Sequence, residues 1–91
     1  MARQPTKFNG RIARRVMELH TRGFDNDFFE RGENTLVSMQ SLHETMSGQA
    51  EVRLVDQCPK LPGNSFVYLH TVETSDGEKG LLITDRIRNN F

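Results

Sequence analysis

The sequence predicts an α+β fold, with one N-terminal helix packed on an antiparallel sheet of about four to five strands that closes in a C-terminal β-hairpin. Three observations carry this expectation. Phe8, Ile12, Val16 and Leu19 recur at spacings of four, four and three, the stripe of an amphipathic helix. After Gly23 that period disappears, and short apolar runs alternate with Gly-, Pro- and Asn-rich breaks. Finally, "YLHTVETSDGEKGLLITD" (68–85) alternates on both sides of an Asp-Gly pair, the strongest short-range hairpin signal.

Residues 1–6 read as a short polar arm of a single domain that spans 1–91. Thr6 or Asn9 can cap the helix start, and Gly23 stands where a helix ends in the left-handed conformation. Arg14, Glu18 and Arg22 fall four apart on the solvent side, so Glu18 can pair both ways. "FDNDFFERGENTLVSM" predicts a first hairpin turning near Gly32 and Asn34. "QSLHETMSGQ" fits either a helical turn or a loop. "EVRLVDQC" predicts a strand, and Pro59, Pro62, Gly63 and Asn64 a connector.

A two-residue type I′ turn at Asp76-Gly77 would set Tyr68 opposite Asp85, His70 opposite Ile83 and Val72 opposite Leu81. Phe66, Tyr68, His70, Val72, Leu81, Ile83 and Ile87 would then share one face. Tyr68, His70 and Asp85 become the one catalytic candidate, a proton-handling cluster. Polar groups satisfying one another at a sheet margin are the favoured reading of the same three residues. Gly80, inside a strand, marks a bulge or a close backbone approach.

Ninety-one residues make one small domain, and a 35% apolar content suffices for a modest core. Net charge is zero but unevenly placed: residues 1–23 hold six basic groups against Glu18, and the rest holds six against eleven acidic groups. Arg11, Arg14, Arg15 and Arg22 are therefore the binding candidates, for nucleic acid or another anionic ligand. A neutral chain without aromatics on that helix face fits a solvated basic helix better. Cys58 is the single cysteine, which excludes an internal disulfide and suits a reducing compartment. No apolar run reaches the about 20 residues of a membrane span, and the basic N-terminus lacks a secretory h-region. A cytoplasmic location without membrane contact is expected.

His20, His43, Cys58 and His70 are too widely spaced for a zinc motif, so no metal is expected. Phosphate-cradling loops and nucleophile elbows are missing from the sequence, so no cofactor is expected and conventional enzymology is disfavoured.

The blocks "RGFDNDF" (22–28) and "FVYLHTVETSDGEKGLLITD" (66–85) resemble a family of small, uncharacterised bacterial proteins known mainly from Bacteroidetes. Some of its members carry the label phosphoribosylpyrophosphate synthetase. Gly23, Phe24, Asp27 and Phe28 match the first family block. Val67, Tyr68, Ser75, Asp76, Gly77, Lys79, Gly80 and Leu82 match the second. The acidic-aromatic block expected before the hairpin is replaced by "VRLVDQCPKLPG". The resemblance transfers no catalytic residue, and a chain this short without a phosphate loop does not suit the synthetase label. The expected role is binding or assembly, with a homodimer formed through a strand edge or the apolar hairpin face.

Overall fold

The computed structural model describes residues 10–60 and 63–89, with Arg11 described in its backbone alone. Helix α1 spans Gly10–Thr21, and six strands follow: β1 (Asn26–Glu30), β2 (Thr35–Ser38), β3 (Glu44–Met46), β4 (Ala50–Pro59), β5 (Phe66–Thr74) and β6 (Lys79–Thr84). Phe8 and the proposed caps Thr6 and Asn9 lie outside the described residues. The helix end is as expected. Gly23 adopts φ 100°, its N–H donates to His20 O, and the Phe24 N–H donates to Leu19 O. These are the paired bonds of a Schellman cap, with Phe24 packed against the cluster that holds Leu19.

The α+β class holds, but the sheet has six strands and is mixed. Its order is β3-β2-β1-β6-β5-β4, two antiparallel meanders joined by a parallel β1–β6 seam. The sixth strand comes from the ambiguous "LHETM" stretch, where only residues 44–46 pair, with β2. Three pairs are too few to leave a periodic signal.

The sheet cannot be flat. Five strand spacings would separate the β3 and β4 edges by about 24 Å. Yet residues 47–49 join those strands, and the chain from Met46 to Ala50 reaches at most about 14 Å. The sheet therefore rolls up, with the chain passing from one edge to the other at this corner. Hydrogen bonds from Ser47 N to Asn34 O and from Ser75 N to Gln49 O tie the corner to both meanders. Inside lie Phe28, Leu36, Val52, Val72 and Leu82, one core cluster drawn from five strands. Outside, Ile12, Val16 and Leu19 of α1 cover Leu69, Leu81, Cys58 and Val55.

The 75–77 loop changes the hairpin register. Gly77 N–H donates to Thr74 O, and Thr74 N–H donates to Glu78 O, with Gly77 at φ 98°. This is a three-residue loop with glycine at its left-handed position rather than a two-residue type I′ turn. The extra residue shifts the pairing by one, so His70 faces Leu82, Val72 faces Gly80 and Tyr68 faces Thr84. One step of register exchanges the faces of β6. Leu82, not Leu81 and Ile83, shares the interior with His70 and Val72.

The β2–β3 loop holds Leu42 at φ 62° with its side chain 71% exposed. An L-residue there costs about 1–2 kcal/mol, and no packing compensates. Leu42→Gly is expected to raise the urea midpoint, with a stability gain of up to about 1 kcal/mol after the added backbone entropy of glycine.

Candidate functional site

The Tyr68–His70–Asp85 cluster does not assemble. The register moves Asp85 past the end of β6, where it is exposed, and leaves Tyr68 half-buried opposite Thr84. His70 is fully buried and serves the fold. Its Nε2 lies 2.8 Å from the Arg88 backbone N–H, a donor, so Nε2 must accept and the proton sits on Nδ1. Nδ1 then donates to the Leu82 carbonyl at 3.1 Å. Burial pushes the His70 pKa below its ordinary value. The Leu82 hydrogen bond and Glu30 oppose that shift, and Arg88 adds to it. The Arg88 side chain in turn bonds Glu30 at 2.9 Å and the Glu33 carbonyl at 2.9 Å. The residues after β6 are thereby strapped to the interior histidine and to the first hairpin.

Of the helix arginines, Arg14 and Arg22 are exposed, and Arg15 pairs with Glu18 at 3.3 Å. Glu18 thus bonds one turn back rather than bridging Arg14 and Arg22. Arg14 and Arg15 border a shallow depression that also contains Glu18, Val55 and Asp56. Two acidic groups beside two basic ones leave that depression nearly neutral, which weakens it as an anion site.

Two other places gather polar groups. The first is the outer edge of β4, which among the described residues pairs with β5 alone. Ala50, Glu51, Val52 and Arg53 line one open groove there, with Asn89 opposite. Side chains alternate along a strand, so four consecutive residues facing one groove means that the backbone edge itself is presented. The regular β4–β5 pairing is interrupted between Leu54 and Asp56, where the register shifts. The exposed Glu51 and Arg53 hold each other at 2.7 Å, and Glu51 raises the Arg53 pKa, chiefly by hydrogen bonding.

The second is where the β5–β6 loop meets the β2–β3 loop. His43 Nδ1 lies 3.5 Å from both Asp76 Oδ2 and Glu78 Oε1. The other carboxylate oxygens are already engaged: Asp76 Oδ1 accepts from the Thr74 hydroxyl at 2.5 Å, and Glu78 Oε2 from Ser41 at 2.8 Å. The Thr74 hydroxyl bond is the main cause holding the Asp76 pKa below the ordinary carboxylate value, with His43 contributing.

No protein-family model, curated protein or solved structure matches this chain. Function is therefore argued from geometry. Neither of these two places is legible in the sequence. Asp76 there reads as turn chemistry, and His43, 33 residues away in an aperiodic stretch, carries no spacing signal. Glu51 and Arg53 lie in "EVRLVDQC", which reads as a strand and carries no further signal. No helix among the described residues is long and apolar enough to cross a membrane.

Proposed function

We propose that the protein is a binding and assembly domain that pairs with a second copy of itself along the outer edge of β4. The single observation that carries this reading is the groove lined by four consecutive β4 residues, a row of backbone groups open to another strand. The charge pattern favours a second copy as the occupant. Antiparallel pairing about a two-fold axis at Val52 would put Glu51 of each protomer opposite Arg53 of the other, and opposite charges directly across strands attract. Helix α1 meets β4 at Val55 and Cys58, so it leaves the Ala50–Leu54 half clear.

Light scattering across a concentration series is expected to show a monomer–dimer equilibrium. Glu51→Arg would set like charges opposite each other twice and weaken association at least about tenfold. The double exchange Glu51→Arg, Arg53→Glu would restore it. A monomer at all concentrations, or a Glu51→Arg variant that dimerises as well as the parent, would overturn the reading.

The anionic-ligand alternative, through Arg14, Arg15 and Arg22, has weaker support because Glu18 and Asp56 share the depression. Salt-independent retention on heparin, unaltered by Arg14→Ala with Arg15→Ala, is the expected result.

A further inference from the structure

One ligand atom each of His43, Asp76 and Glu78 lies within 4.8 Å of the other two, and His43 Nδ1 stands 3.5 Å from both Asp76 Oδ2 and Glu78 Oε1. Two readings compete for them: an ion-pair triad around a protonated histidine, and a set of metal ligands. The distances separate the two. Charge-assisted N–H···O bonds close to about 2.7–2.9 Å, and neither His43 contact does so at 3.5 Å. Bonds of about 2.1 Å at tetrahedral angles, the lengths zinc makes to imidazole nitrogen and carboxylate oxygen, place ligand atoms about 3.4 Å apart. The two His43 separations match that edge, and the third lies within 4.8 Å.

A second observation is independent of those distances. Glu78 Oε1 is solvent-inaccessible and accepts no hydrogen bond. His43 Nδ1 stands 3.5 Å from it, too long for a hydrogen bond, and a desolvated anionic oxygen without one favours a closer cation. The other oxygen of the carboxylate is already fixed by Ser41, which holds Oε1 beside His43. Hydroxyls that orient ligating carboxylates are the usual supports of metal ligands.

We propose that His43, Asp76 and Glu78 form a divalent transition-metal site, with Zn²⁺ the best-fitting ion and a fourth position open to solvent. One imidazole nitrogen with two carboxylate oxygens suits zinc and its first-row neighbours better than Ca²⁺ or Mg²⁺, which take oxygen ligands in larger number. Because His43 and Asp76 are exposed, the fourth position faces water. The ion would clamp the β2–β3 loop to the β5–β6 loop, which otherwise meet through the Ser41–Glu78 bond and the His43 contacts.

The test is calorimetric titration of untagged protein with zinc chloride, alongside melting scans. One equivalent is expected to bind, with a rise in Tm by mass action. His43→Ala and Glu78→Gln should each weaken binding by about a hundredfold or more, and Ser41→Ala by about tenfold, as loss of a supporting hydroxyl does. His20→Ala, which removes the other histidine–carboxylate contact, the 3.7 Å pair with Asp27, should leave binding unchanged. Absence of heat and of a Tm shift at about 1 mM zinc would overturn the proposal. So would His43→Ala titrating like the parent, or His20→Ala abolishing the binding.

Discussion

Gly80→Ala is expected to lower stability by about 3 kcal/mol or more, a large share of the 5–15 kcal/mol typical of a domain. Gly80 sits on the parallel seam, paired with Asn26 of β1 on one side and Val72 of β5 on the other. A Cβ there would stand 2.3 Å from the Asn26 carbonyl oxygen and 2.7 Å from Phe28 Cε2. The backbone oxygen cannot swing aside as a side-chain end could, so the seam itself must part. Gly77→Ala is the informative contrast. Nothing lies within 4 Å of its Cβ position, and only the φ of +98° resists substitution, at a cost of about 1–2 kcal/mol. Urea unfolding of both variants gives the comparison. A Gly80→Ala variant no less stable than Gly77→Ala would show that β1 and β6 are not in the close contact described.

His70 carries the second large effect. His70→Ala removes a fully buried ring and leaves the Leu82 carbonyl and the Arg88 N–H without their partners. The cavity and the two orphaned groups together are expected to cost about 3–4 kcal/mol. The effect depends on pH, and its sign follows from the lowered pKa. The unfolded chain takes up the His70 proton near its ordinary value of about 6.5, before the folded protein does. The stabilisation is therefore complete above about pH 6.5 and is lost as pH falls from there toward the folded-state value. Protonated Nε2 would point a donor at the Arg88 N–H, so acid should also loosen the residues after β6. The penalty of His70→Ala is expected to be largest near pH 7.5 and to shrink toward pH 5. Amide exchange at Arg88 should quicken over the same range. A penalty that stays constant across that interval would rule out the neutral, doubly bonded imidazole.

Much of this architecture is legible in the chain. The Ile12, Val16, Leu19 stripe and Gly23 define α1 and its cap, because both rest on contacts within a few residues. The strands around Gly32 and around Asp76-Gly77 are legible for the same reason. The hairpin register is not. Asp-Gly serves two loops that differ by one residue, and the choice between them depends on the Thr74 N–H to Glu78 carbonyl bond and on which β6 residue faces Val72. Gly80 at that position, against Asn26, satisfies the seam; Leu81 could not. The parallel β1–β6 pairing is equally hidden, since it joins residues more than 50 positions apart and no turn chemistry announces it. The strap through Arg88 and the His43–Asp76–Glu78 grouping are tertiary in the same sense. The positions on which the family resemblance rests have plain structural duties: Gly23 caps α1, Phe28 and Leu82 fill the interior, Gly77 turns the hairpin, and Gly80 admits β1.

The seam also sets an order of events at the ribosome. β1 is made well before β6, its partner on one side. Until Lys79–Thr84 has emerged, β1 can pair with β2 alone and offers its other edge to any extended chain nearby. Each three-stranded meander can form from local contacts, but the rolled sheet closes only when β6 is free. Folding is therefore governed by loop closure over the more than 50 positions between Asn26 and Gly80, the slow regime for β proteins. A ribosome stalled before residue 79 would hold an α-helix and an incomplete sheet whose open β1 edge is the most aggregation-exposed surface the protein ever presents.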